Sequence, residues 1–148
     1  MTRYFEDFST GDTWTFGPRE VTRKEIQEFA QKYDPQPMHT DPSTAAEGPF
    51  EGLIASGWHT VSLSTRLVVD GLISDMDSRG GLGTDSLRWP NPVRPGDDIS
   101  VAVEVVDTED FDEERGTISF SITTTNQDGE TVLSMVVDAL FGRREASE

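Results

Sequence analysis

The sequence predicts an α+β domain in which a mainly antiparallel sheet wraps around one central helix. Three observations predict it. After a short first strand, helical patterns come first and period-two alternation follows. The stretch from Gly57 to about Val69 has helical spacing with bulky residues on more than one side, so it reads as a mostly buried helix. Finally, Asn126-Gln127-Asp128-Gly129 separates two alternating runs and reads as a hairpin turn, which makes its strands antiparallel.

The elements follow in order. Residues 13–16 form a first strand. A helix starts at Thr22, which caps it, and Glu25 completes a capping box; Ile26, Phe29 and Ala30 form its apolar stripe. The segment from Asp34 to His39 holds Pro35 and Pro37 and is expected to be a stiff loop, not a helix. A short helix from Pro42 to Glu47 follows, capped by Asp41. The central helix starts at Gly57, and Gly71 is expected to end it. Strands are expected at Leu82 to Trp89, Ile99 to Val105, around Ile118-Phe120-Ile122, and at Val132 to Phe141. The charged end, Arg143 to Glu148, is expected to fray. With 148 residues and no low-complexity linker, the chain is read as one domain over 1–148.

Composition excludes several classes. There is no cysteine, hence no disulfide, thiolate ligand or cysteine nucleophile. His39 and His59 are too far apart for a short metal motif, and neither a metal nor a bound cofactor is expected. The formal charge is -16 and the pI about 4.3, which argues against nucleic-acid binding. No apolar run approaches the roughly 20 residues of a membrane helix, and the polar start is unlike a secretory signal. A cytoplasmic location is expected. The 28 acidic residues are spread along the chain and only two of the 12 basic residues, Lys24 and Lys32, are lysines. A salt-rich, halophilic cytoplasm explains that pattern; an ordinary acidic protein is the alternative.

Two places can carry chemistry. Asp34 and His39 sit five residues apart on the proline-stiffened segment, where a carboxylate and an imidazole can share a water and move its protons. The plain alternative is a turn-capping aspartate and a satisfied buried histidine. Ile54-Ala55-Ser56-Gly57-Trp58 enters the central helix, and Gly57 offers an unpaired first-turn amide with no side chain in the way. Such an amide stabilises an enolate oxygen; the alternative is a packing glycine. His59 reads as structural. Trp58 and Trp89 are candidates to line a ligand channel, or are core residues.

Together these segments resemble a family. Tyr33-Asp34-Pro35-Gln36-Pro37-Met38-His39-Thr40-Asp41 resembles the hydratase motif of MaoC-like dehydratases and R-specific enoyl-CoA hydratases, usually Asp-x-Asn-Pro-x-His. Gly52-Leu53-Ile54-Ala55-Ser56-Gly57 resembles the family's Gly-Gly-x-Ile-Ala-His-Gly segment. Pro92-Val93-Arg94-Pro95-Gly96-Asp97 resembles its proline-glycine turn before a long strand. The resemblance implies a hot-dog fold that adds water reversibly to a 2-enoyl-CoA thioester, giving a 3-hydroxyacyl-CoA. Asp34 and His39 match the catalytic pair and Gly57 the oxyanion amide. Thr65 falls where the family often has a serine that orients the pair. Ser56 and Trp58 are candidates for substrate contact, and Arg88 and Arg94 for the phosphates of coenzyme A. Two positions depart from the family: Gln36 replaces asparagine and Ser56 replaces histidine. A hot-dog thioesterase and a non-catalytic acyl-thioester-binding subunit are the other readings. Exposed strand edges, together with the resemblance, imply a homodimer or a dimer of dimers.

Overall fold

The computed structural model describes residues 1–145 of the chain. Strand β1 (Thr13–Glu20) leads into helix α1 (Arg23–Tyr33). Two short helices follow, α2 (Pro37–Thr40) and α3 (Pro42–Ala46), and then the long helix α4 (Gly57–Gly71). Strands β2 (Ser78–Arg88), β3 (Asp98–Asp110), β4 (Arg115–Thr125) and β5 (Thr131–Gly142) complete the order. The five strands make one antiparallel sheet in the order β1-β3-β4-β5-β2.

The alternation in β3 and β4 decides which face is the core. Ile99, Val101, Val103 and Val105 are buried, as are Ile118, Phe120, Ile122 and Thr124. Val103 lies opposite Ile122, and Ile122 opposite Met135, so these rows stack across the sheet. Phe120 and Phe141 meet edge to face at 5.8 Å between centroids. Helix α4 lies against this face through Val68, with Leu72 just beyond its end. A second cluster, with Ile26 from α1, Ala45, Leu53, Val93 and Ile99, holds the smaller helices to the sheet. Gly17 has φ +105° and an added Cβ would lie 2.8 Å from the Ile99 carbonyl oxygen, so only glycine lets β1 close on β3 there.

Several expectations change. The Asp34–His39 segment is not wholly a loop, because Pro37 opens a helical turn that carries His39. A proline has no amide to lose at a helix's first position, so Pro37 favours this turn. Helix α4 is amphipathic, not mostly buried: His59, Thr60, Ser64 and Val68 face inward while Trp58, Thr65 and Val69 are exposed. Its inward stripe includes hydroxyls, and Ser64 meets Thr124 Oγ1 at 2.7 Å. Helix α4 does end at Gly71 as expected, but Gly71 is its last helical residue and not a left-handed cap, and an added Cβ would lie 2.4 Å from the Phe16 ring. Strand β2 starts four residues before Leu82 and stops short of Trp89. At the charged end, residues 146–148 lie outside the described residues, but Arg143 and Arg144 are tied down. The Arg143 amide donates to the Glu114 carbonyl (2.8 Å) and its guanidinium to Asp110 (2.6 Å). Arg144 donates its amide to Glu6 (2.9 Å) and pairs with Asp7, which lashes the two ends of the described chain together.

Candidate active site

Helix α1 delivers Asp34 as its C-terminal flanking residue, where the Asp34 amide still donates to Ala30 (2.8 Å). The Gln36 carbonyl then accepts from the His39 amide (2.9 Å), which starts α2. The segment at Leu53–Ser56 clamps that turn. The Ile54 amide donates to the Met38 carbonyl (3.0 Å), and the Ile54 carbonyl accepts from His39 Nδ1 (2.8 Å). A carbonyl can only accept, so Nδ1 carries the hydrogen and Nε2 is free to hold or release a proton. Nε2 lies 3.4 Å from Asp34 Oδ2. The structure thus brings the expected pair together, with His39 buried and Asp34 partly so.

Asp34 is gripped on both oxygens. Gln36 Nε2 donates to Oδ1 at 2.6 Å and Ser56 Oγ donates to Oδ2 at 2.7 Å. The Gln36 bond, with lesser help from Ser56 and His39, outweighs desolvation and holds the carboxyl below the usual 3.8. Asp34 is therefore a carboxylate at neutral pH, and its contribution to stability is lost only as pH falls below 3.8 through its lowered folded value. Ser56 is fully buried and turned toward Asp34, so its expected contact with substrate gives way to this bond.

Beside the pair is an apolar cavity of about 180 Å³. His39, Ile54 and Gly57 line one side, and the segment Trp89 to Val93 lines the other. Gly57 fits under the Trp89 indole: an added Cβ would lie 2.3 Å from Trp89 Cε2. Its amide, in the first turn of α4, meets no protein acceptor among the described residues. Thr60 also lines the cavity, one turn after Gly57. Thr60 and Asn91 were missed by sequence reasoning. The i,i+3 spacing from Gly57 signalled the first, and the Pro90-Asn91-Pro92 run offered a weak signal for the second.

Other expected residues are placed differently. Thr65 does not orient the pair: its hydroxyl donates to the Val61 carbonyl (2.8 Å) and it borders a separate groove between α4 and the sheet. Trp58 is not a cavity wall; it is 55% exposed and stands edge-on to Trp89 at 5.1 Å. Arg88 and Arg94 are exposed, flank Trp89 and Val93 of the wall, and form no ion pair among the described residues. Among the described residues no group of three or more His, Cys, Asp or Glu is placed to hold a metal, and no helix is long and apolar enough to cross a membrane.

His59 is buried against Phe29, with rings stacked at 4.7 Å and 10°. Its Nδ1 has no hydrogen-bond partner. Burial holds the imidazole below the ordinary 6.5, against the pull of Glu25. The unfolded chain binds this proton first, so stability is complete above pH 6.5 and falls as pH drops through the folded value. Denaturant melts from pH 7 to 5 should show that loss, and His59→Phe should flatten it; an unchanged slope in the variant would assign the loss elsewhere.

The chain matches the MaoC like domain over residues 7–127. It is 32% identical to the 3-hydroxyacyl-thioester dehydratase Z of Mycobacterium tuberculosis over 111 residues, 71% of this chain and 70% of that protein. It is also 32% identical to an uncharacterized Bacillus subtilis protein over 123 residues, 82% of this chain and 86% of that one. The structure is similar to a MaoC-like dehydratase from Rhodospirillum rubrum, with TM-score 0.87, 34% identity and coverage of 97% and 99%. A Mycobacterium tuberculosis protein described as a double hotdog fold superposes with TM-score 0.81 at 16% identity, over 99% of this chain and 46% of that one, a likeness of fold alone. A five-stranded antiparallel sheet around α4, with an Asp–His pair at its mouth, is thus the hot-dog form in which the chain belongs to the MaoC-like domain family.

Proposed function

We propose that the protein adds water reversibly to a trans-2-enoyl thioester, with coenzyme A as carrier, and that Asp34, His39 and Gly57 do the chemistry. The observation that carries this reading is the tautomer-fixed His39, with Nε2 3.4 Å from the Asp34 carboxylate at the edge of an apolar cavity. A water held by the pair attacks C3. The C2–C3 π electrons move toward the thioester oxygen, where the Gly57 amide stabilises the enolate. C2 then takes a proton and the carbonyl re-forms; the reverse sequence dehydrates a 3-hydroxyacyl thioester. The dehydratase name of the mycobacterial relative supports the same reaction class. The test is loss of enoyl-thioester absorbance with purified protein. Release of free thiol without hydration would favour a thioesterase, and binding without turnover an accessory subunit.

Arg88 and Arg94 are proposed phosphate contacts, since both are exposed cations beside the cavity wall on a chain of charge -16. Exposed contacts of this kind are worth only about 0–1 kcal/mol, whereas screening relieves the repulsion of the whole acidic surface. Activity and melting temperature should therefore both rise from about 0.1 M KCl, with its Debye length of about 10 Å, toward 1 M. A steady fall of both with salt would overturn the halophilic reading.

A homodimer is proposed on two features. Every residue of the edge strand β2 except Leu87 is exposed, and its outer backbone edge has no partner in the sheet. Beside it, an apolar groove of about 130 Å³ runs between Val69 of α4 and Phe120 and Val137 of the sheet. A second copy pairing along β2 would cover both. Light scattering in molar KCl should give twice the mass of 16.4 kDa; a monomer at micromolar concentration would contradict the proposal.

A further inference from the structure

Gln36 and Ser56, which stand where the motifs that the sequence resembles usually have asparagine and histidine, converge on one carboxylate. Gln36 holds Asp34 Oδ1 and Ser56 holds Oδ2, at 2.6 and 2.7 Å. Ser56 is 0% exposed, so water cannot compete for its hydroxyl. Its oxygen also accepts from the Trp58 amide at 3.3 Å, which fixes the hydroxyl to the start of α4. Asp34 is thus a carboxylate already occupied by two neutral donors.

His39 is in the opposite state. Its Nδ1 hydrogen is committed to Ile54, so Nε2, 3.4 Å from Oδ2, presents a lone pair to the carboxylate whenever the ring is neutral. Lone pair and carboxylate repel each other. A proton arriving on Nε2 turns that repulsion into a charge-assisted contact. His39 also lines the cavity, whereas Asp34 does not.

We infer that Gln36 and Ser56 are positioning residues that fix Asp34 as a standing counter-ion, and that His39 Nε2 is therefore the atom that exchanges protons with water and substrate. This rests on the hydratase reading. Nε2 takes one proton from water as the water oxygen bonds to C3 and the π pair shifts to the thioester oxygen. The Nε2–H then protonates C2 as the carbonyl re-forms, which leaves the imidazole neutral again. Atoms balance and no other reactant is needed. Asp34 stays ionised throughout and stabilises the transient imidazolium.

The test compares two curves for wild type, Ser56→Ala and Gln36→Leu: the carboxyl titration of Asp34, followed by carbon-13 NMR, and the acid limb of kcat/KM for a 2-enoyl-CoA. Losing either donor should move the Asp34 titration to higher pH, while the acid limb does not follow it. Ser56→Ala should lower kcat by about 10- to 100-fold, as expected when a reacting group is misplaced, with KM little changed. Ser56→Thr, which keeps the hydroxyl, should regain most of that loss. An acid limb that moves in step with Asp34 would make the carboxylate the proton acceptor and overturn the inference. A Thr variant as poor as the Ala variant would overturn the positioning role. If Ser56→Ala does not fold, Gln36→Leu at its exposed position carries the comparison. Absence of hydration in the wild type would remove the functional reading itself, and the titrations would still decide whether the two side chains hold Asp34.

Discussion

Replacing His39 with Ala should lower hydration of a 2-enoyl-CoA by about 10²–10⁴-fold, the range for a lost general acid–base group. The ring is buried and its Nδ1–H satisfies the Ile54 carbonyl, so some stability is lost as well. His39→Gln separates the effects, because a side-chain amide can still donate to that carbonyl while offering no titrating atom. Both variants should be similarly inactive, with His39→Gln the more stable. Asp34→Asn should also fall within the same range, because its neutral amide cannot support an imidazolium. Initial rates and melting curves on the same preparations check this. Near-wild-type turnover in His39→Gln would remove the histidine from the chemistry.

Gly57→Ala should be the second most damaging change. The new methyl would fall within 2.3 Å of the Trp89 indole, far inside contact distance. The indole is 40% exposed and can swing outward, so the chain should fold with a loss of about 1–3 kcal/mol. The cavity would lose the wall that positions substrate against His39, at a cost of about 10²-fold in kcat/KM. Adding Trp89→Ala removes the clash. The double variant should be more stable than the sum of the single changes predicts, by about 0.5–3 kcal/mol, while kcat/KM stays low. Additive stabilities would show that the indole does not rest on Gly57 in solution.

What could be read from the sequence was local. The Thr22–Glu25 capping box and the Asp41 cap are made within three residues, and both form as expected. The alternation of β3 and β4 gave their buried faces, because the pleat alone decides which side chains turn inward. Asp34 and His39 were legible because five residues and two prolines confine them. The rest depended on distant contacts. The Ser56–Asp34 bond spans 22 residues, so Ser56 looked like a missing histidine and not like a brace. Gly71 was rightly read as the end of α4, but nothing local shows that Phe16 will press against it. The charged far end of β3, through Asp107, Glu109 and Asp110, has poor strand propensity, and pairing with β4 overrides that. Thr65 was placed by counting along the helix; eight residues from Gly57 its hydroxyl is spent on the preceding turn.

The lashing of Arg144 to Glu6 and Asp7 makes the polypeptide almost a closed ring. A short linker could join the old ends without disturbing the sheet, and new ends could open in the exposed turn between β3 and β4.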